Sequence, residues 1–213
     1  IEGIGFVWND AFGMGGDTGA GRKDYPLDVP VYPLVSDEER WRLILCEMSR
    51  IKPGWIRFML PPEGILTKRG TIDTDSVHFE RLARVNAWAQ SSGASIALDL
   101  YLVPPHLQMR GGDLPGGWAR ANKAPADVDA YSRTFVRPVV SFLLEELRME
   151  QIRYLSLVSE PLAGGVFHAP GDDSYARYVA AYRAVRRDLV QREFVPQRLQ
   201  LMGPGSRSPL HWP

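Results

Sequence analysis

The fold of this 213-residue chain is decided by one stretch, Arg153-Tyr154-Leu155-Ser156-Leu157-Val158-Ser159-Glu160-Pro161. Its first six residues are mostly apolar, which predicts a parallel strand covered on both faces. Proline cannot donate to a strand ladder, so Pro161 marks the end of that strand. Glu160 therefore stands where a buried strand leaves its sheet, and partial burial there raises the pKa of a carboxyl toward that of a general acid. Local features alone leave a surface glutamate equally open.

Apolar runs and amphipathic segments alternate along the rest of the chain. The runs predict strands over residues 5–8, 55–60, 95–101, 153–158 and 199–202. The segments between them predict helices over residues 36–52, 77–92, 127–148 and 173–194. Pro138 lies inside the third helix and predicts a kink or a break there. Alternation of strands and helices at this spacing indicates a parallel α/β fold.

The loops are long on one side of the predicted sheet and short on the other. Residues 9–35, 61–76, 104–125 and 162–171 follow the carboxyl ends of strands, whereas the helix-to-strand turns are tight. In (β/α)8 barrels the carboxyl-end loops carry the active site. We therefore predict an α/β fold of the (β/α)8 TIM-barrel type, with about the first five units present. Residues 1–213 are expected to form one catalytic domain that stops after its fifth strand, with the remainder in missing sequence or another chain.

The charge balance and the cysteine content of the chain argue against several classes of binding partner. The 25 basic and 25 acidic residues balance to a net charge of zero, so we expect no nucleic-acid partner and no membrane partner. The single cysteine, Cys46, forms no intramolecular disulfide and is expected on a packed helix face. No Cys/His cluster has the spacing of a zinc site. These observations favour a neutral partner and no metal.

A glycine-rich stretch over residues 13–21 invites a dinucleotide-binding interpretation. That motif requires a tight turn leading directly into a helix whose N-terminus faces the phosphates. Here Pro26, Pro30 and Pro33 follow, no helix is predicted before Ser36, and the glycine spacing is wrong. We interpret the stretch as an active-site loop or a flexible excursion.

With its glutamate and proline at the end of a fourth strand, the chain resembles the clan A retaining glycoside hydrolases, which are (β/α)8 barrels with Asn-Glu-Pro at that position. Arg57 on the second strand and the fifth-strand segment, residues 201–206, also resemble the clan. The resemblance implies that Glu160 is the general acid/base and that no cofactor is needed. The clan's nucleophile ends the seventh strand, which this chain does not reach. Ser159 replaces the asparagine that holds the sugar 2-hydroxyl, which puts the substrate geometry in doubt.

The resemblance also implies a carbohydrate substrate, and it suggests a set of residues that bind it. Arg57 would favour an ionised nucleophile or form a structural ion pair, and Asp99 and Tyr101 would point the same way from alternate strand positions. Asp99 needs a partner, either sugar hydroxyls or Arg57. Trp8 and Trp118 could stack on sugar rings or serve only in packing, and His168 could bind hydroxyl groups or be merely exposed. The substrate-binding candidates are Arg57, Ser159, Asp99, Tyr101, Trp8, Asn9, Trp118 and His168.

The sequence leaves three alternatives to a glycoside hydrolase. Ser159 leaves open a non-catalytic carbohydrate-binding barrel or pseudoenzyme. A barrel aldolase or metal-dependent hydrolase would require a Schiff-base lysine or a His/Asp cluster at strand ends, and the five predicted strands offer neither. A Rossmann-like domain lacks its glycine turn.

Overall fold

In the computed structural model, which describes residues 5–9, 37–109, 123–158 and 174–203, five strands form one parallel sheet. The strands are β1 (Gly5–Asn9), β2 (Trp55–Met59), β3 (Ser95–Asp99), β4 (Ile152–Ser156) and β5 (Gln200–Leu201). Each pairs with the next strand in the sequence, giving the order β1-β2-β3-β4-β5. Sequential parallel order is the arrangement of a (β/α)8 barrel, because each crossover helix returns the chain to the next position.

Helices connect the strands. They are α1 (Asp37–Ile51), α2 (Pro62–Ile65), α3 (Val77–Ser92), α4 (Val128–Tyr131), α5 (Arg137–Ser141) and α6 (Ser174–Gln191). A 3-10 turn covers Pro105–Leu107, and π turns cover Ser132–Val136 and Phe142–Glu146. The sequence did not predict α2, a single turn within the loop after β2.

The ends of α3 follow directly from two residues. The hydroxyl oxygen of Ser76 accepts the backbone N–H of His78 at 3.2 Å, which satisfies one of the donors at the start of the helix. Gly93 closes the helix with φ 75°, a left-handed conformation that glycine adopts without a side-chain penalty. The predicted bounds of this helix are therefore confirmed.

Pro138 widens its helix and does not break it. The chain is helical from residue 128 to residue 146, and a π turn stands immediately before the proline-containing α5. In that π turn the backbone N–H of Arg137 donates to the carbonyl of Ser132, five residues back. A proline ring clashes with the carbonyl four residues earlier and offers no N–H to it. We attribute the π turn to this conflict, since the wider turn accommodates it.

The two faces of the sheet have different surroundings. The outward-facing side chains of the central strands are fully buried and belong to one hydrophobic cluster with the helices. They are Ile56, Phe58, Ile96, Leu98 and Leu155. The alternate positions Trp55, Arg57 and Met59 form the other face of β2, and Arg57 is only partly covered. This second face corresponds to the interior of a barrel.

Three details of the sequence interpretation are wrong. β3 ends at Asp99, and Tyr101 follows it with φ 61°, so Tyr101 does not share the alternation of the strand. Cys46 is exposed and does not lie on a packed face. In the last predicted helix, Tyr175, Tyr178, Val179, Tyr182 and Val185 recur at helical spacing, which predicts that all five face the core. Tyr175 is 44% exposed, whereas Tyr178 is buried.

Candidate active site at the carboxyl ends of the strands

The carboxyl ends of the first four strands lie side by side. Asn9 of β1 pairs with Met59, Met59 pairs with Asp99, and Asp99 pairs with Ser156 at the end of β4. Beyond Ser156 the chain continues through Leu157 and Val158, which are both fully buried. The next two residues in the sequence, Ser159 and Glu160, lie outside the described residues.

An ion pair joins the second and third strands on the barrel-interior face. The Nε of Arg57 donates to Oδ2 of Asp99 at 3.0 Å, and Nη2 of the same guanidinium donates to the same oxygen. The side chain of Asp99 is 0% exposed and that of Arg57 is 22% exposed. A buried carboxylate is stable only when it is paired and hydrogen-bonded, and Arg57 supplies the countercharge. The carboxylate in turn holds the guanidinium in one orientation.

The other carboxylate oxygen of Asp99 is held by the backbone after β3. The N–H of Tyr101 donates to Oδ1 of Asp99 at 2.8 Å. The carbonyl of Asp99 accepts the N–H of Leu60, at 2.7 Å, which extends the ladder past the end of β2. Both oxygens of Asp99 are therefore engaged within the protein, one by the cation and one by the turn that contains Tyr101.

The end of β4 receives three hydrogen bonds that sequence reasoning did not predict. The hydroxyl of Tyr131 donates to the carbonyl of Leu157 at 3.2 Å. The hydroxyl of Ser156 donates to the carbonyl of Val158 at 3.3 Å, and the N–H of Leu100 donates to the carbonyl of Ser156 at 3.0 Å. The one available signal was a tyrosine inside a helix pattern, because a buried phenol usually finds a partner.

The environment of Tyr131 keeps its phenol protonated. Burial raises the pKa of Tyr131 well above its ordinary value, and the nearby Tyr178 and Asp99 raise it further. The pKa of Tyr178 is also raised, again mainly by burial. Both effects act against the anionic form of the phenol. Tyr131 therefore remains a neutral hydrogen-bond donor throughout the ordinary pH range.

The remaining candidates are only partly described. Trp8 pairs with Phe58 and Asn9 pairs with Met59 in the register of β1, but the side chains of β1 are outside the described residues. Trp118 and His168 also lie outside them, as do Ser159 and Glu160. Of the predicted site residues, the structure thus brings together Arg57, Asp99 and the backbone of Tyr101.

The described part of the chain contains neither a metal-binding cluster nor a membrane-spanning helix. Within residues 37–109, 123–158 and 174–203, no group of three or more His, Cys, Asp or Glu side chains has an arrangement that would hold a metal ion. In the same ranges, no helix combines the length and apolar character required to cross a membrane.

Solved structures with a similar fold include glycoside-cleaving enzymes. A rutinosidase from Aspergillus niger aligns with a TM-score of 0.55 at 15% identity, over 82% of this chain and 51% of its own. A GH39 β-xylosidase from Caulobacter crescentus gives a TM-score of 0.52 at 12% identity, over 95% and 40%. A GH5 family lichenase from Caldicellulosiruptor sp. F32 gives 0.50 at 14% identity, over 95% and 52%.

These alignments establish the fold. No protein-family model matches the sequence, and no curated protein matches it significantly. The chain spans about half the length of the rutinosidase and of the lichenase, 51% and 52%. The chain is therefore folded as part of a (β/α)8 barrel similar to the barrels of these structures, and the predicted fold class is confirmed.

Proposed function

We propose that the protein is a retaining glycoside hydrolase in which Glu160 is the general acid/base. The observation that carries this proposal is the position of Ser159-Glu160-Pro161, directly after the buried end of the fourth parallel strand. The carboxyl ends of barrel strands are where catalytic groups stand in enzymes of this architecture. The likeness in fold to a rutinosidase and a β-xylosidase supports a glycoside as the substrate class.

The chemistry is a double displacement. A second carboxylate attacks the anomeric carbon while the carboxylic acid of Glu160 protonates the departing oxygen, which leaves a glycosyl-enzyme ester. Glu160 then takes a proton from water as the water oxygen attacks the same carbon and releases the second carboxylate. The two carboxyl groups must stand about 5–5.5 Å apart. The attacking carboxylate would come from outside this chain, and the reaction uses no cofactor.

Arg57 and Asp99 would act as a unit within this site. The positive guanidinium of Arg57 favours the ionised form of a nearby nucleophile. Asp99 is fully buried, with both oxygens engaged, so its role in the proposal is to orient Arg57 and to neutralise part of its charge. Because Asp99 already holds the guanidinium of Arg57 in place, these charged groups do not have to reorient during the reaction.

The other candidates complete the proposed site. Ser159 would contact the sugar beside the scissile bond, through its hydroxyl or a bridging water. Asn9 and His168 would bind hydroxyl groups, and Trp8 and Trp118 would stack on the C–H faces of sugar rings. Tyr101, which is partly exposed, would border the same site. In this proposal residues 1–213 form one barrel domain that further strands complete, from the same protein or from another chain.

Substitution of Glu160 tests the proposal. The full-length protein is screened against unsubstituted phenyl glycosides, whose leaving group requires a proton, and Glu160→Gln is compared with Glu63→Gln on the best of these substrates. Glu63 lies in the loop after β2 and is exposed, so its variant controls for loss of a carboxylate near the same face. Glu160→Gln should lower kcat/KM by about 100-fold or more, the usual contribution of a general acid/base. Equal activity of the two variants would contradict the assignment of Glu160.

A further inference from the structure

The exit of β4 is fixed by contacts outside the strand ladder. The carbonyl groups of Ser156, Leu157 and Val158 each accept a hydrogen bond from a different source: the N–H of Leu100, the hydroxyl of Tyr131 and the hydroxyl of Ser156. Consecutive peptide groups whose carbonyl oxygens each accept a hydrogen bond have little freedom to rotate, because each rotation would leave a buried carbonyl without a donor.

Tyr131 is suited to fix this exit. It is the last residue of α4, its side chain is fully buried, and its ring lies 5.7 Å from the ring of Phe135. The π turn that starts at Ser132 follows it immediately, so the local helix geometry and the position of the phenol are linked. π turns inside helices frequently mark functional positions.

We propose that Tyr131 is a positioning residue for the acid/base carboxylate, assisted by Ser156. This inference rests on the function proposed for Glu160, which follows Leu157 by three residues and Val158 by two. The phenol of Tyr131 holds the carbonyl of Leu157, and the hydroxyl of Ser156 holds that of Val158, so the chain leaves β4 in one direction. Displacement of a catalytic group by about 1 Å costs on the order of 100-fold in rate. Tyr131 would thus act on catalysis without touching the substrate.

The test uses the dependence of the rate on the leaving group. An aryl glycoside with a dinitrophenolate leaving group departs without a proton, whereas the unsubstituted phenyl glycoside requires the general acid. In Tyr131→Phe of the full-length protein, kcat/KM for the phenyl glycoside should fall about ten-fold, with less than about a two-fold change for the dinitrophenyl glycoside. Loss of folded protein alone would lower both rates equally.

Tyr182, on helix α6, provides a matched control because it makes a similar bond to the neighbouring strand β5. Its hydroxyl donates to the carbonyl of Leu201 in β5 at 3.3 Å, the same type of bond that Tyr131 makes to the chain after β4. Tyr182→Phe should leave the ratio of the two rates unchanged. If Tyr131→Phe does not fold, Ser156→Ala carries the same test, because it removes the donor to Val158.

The outcomes separate this inference from the function on which it rests. In Glu160→Gln, kcat/KM for the phenyl glycoside should also fall much more than kcat/KM for the dinitrophenyl glycoside, and this split between the two substrates should be larger than in Tyr131→Phe. If Glu160→Gln shows the split and Tyr131→Phe behaves like Tyr182→Phe, the positioning role is wrong and the proposed function stands. If Glu160→Gln shows no split, or no glycoside is hydrolysed, the proposed function fails and the inference fails with it.

Discussion

Replacement of Arg57 by methionine removes the cation that faces the fully buried carboxylate of Asp99. Methionine keeps an unbranched apolar stem of similar reach, so the change tests the charge and leaves much of the packing in place. After the substitution, Asp99 retains the N–H of Tyr101 as a hydrogen-bond donor but has lost the guanidinium that balanced its charge. The converse change, Asp99→Asn, leaves the charge on Arg57, whose side chain is 22% exposed.

The two single substitutions should therefore have unequal costs. With Nε and Oδ2 3.0 Å apart, the Coulomb attraction is about 5 kcal/mol at an effective dielectric constant of 20. Removal of one partner from a buried pair typically costs about 3–5 kcal/mol, and we expect this for Arg57→Met because Asp99 has no access to water. We expect about 1–2 kcal/mol for Asp99→Asn, because the partly exposed guanidinium can be solvated.

Urea unfolding of the wild-type protein, both single variants and the double variant measures these costs. In the double variant the uncompensated charge is gone, so Asp99→Asn should stabilise the Arg57→Met protein by about 1–3 kcal/mol. An increase in stability on adding a second substitution is a distinctive sign of a paired charge. Additive costs in the double variant, or a larger cost for Asp99→Asn than for Arg57→Met, would refute the reasoning.

Two further predictions concern the remainder of the fold. The raised pKa values of Tyr131 and Tyr178 mean that the unfolded state loses these phenolic protons first, so stability should fall as the pH rises above about 10, by about 1.4 kcal/mol per pH unit for each tyrosine. Urea unfolding at several pH values should show this slope. In Tyr131→Phe the slope should be smaller by about 1.4 kcal/mol per pH unit, the contribution of one tyrosine, and an unchanged slope would contradict the prediction. Gly93→Ala should cost about 1–2 kcal/mol, because φ is 75° and a Cβ would meet nothing within 4 Å, so only the backbone is strained. A thermal midpoint equal to that of the wild-type protein would contradict the second prediction.

The parts of the fold that the sequence predicted have local causes. Helix α3 was predicted with its true bounds because Ser76 and Gly93 are residues that begin and end helices by their own chemistry. The strands were predicted because parallel strands covered on both faces appear as apolar runs. The asymmetry in loop length then indicated which end of the sheet carries the site.

The errors arose where tertiary structure overrides local preference. Tyr101 adopts a left-handed conformation that tyrosine does not favour, so nothing in the sequence indicated that β3 would end at Asp99. Pro138 was recognised as a disturbance, but whether a helix breaks or widens depends on the packing around it.

In the candidate site too, the features with a local cause were predicted and those that depend on tertiary packing were not. The need of Asp99 for a partner follows from the cost of burying a charge, and Arg57 was one of two partners considered. The structure identifies Arg57 as that partner. The contact between Tyr131 and Leu157 joins residues 26 positions apart, and no periodic pattern links them. Such contacts depend on how a helix packs against a strand, which one sequence does not specify.

The central claim is that Glu160 is the general acid/base, and chemical rescue tests it most directly. Glu160→Ala in the full-length protein is assayed on a dinitrophenyl glycoside with and without azide. Azide needs no deprotonation, so it can attack the glycosyl-enzyme ester when the general base is missing. We expect azide to raise kcat and to yield a glycosyl azide of retained configuration, identified by NMR. Wild-type turnover in Glu160→Ala without azide, or an azide product of inverted configuration, would contradict the account.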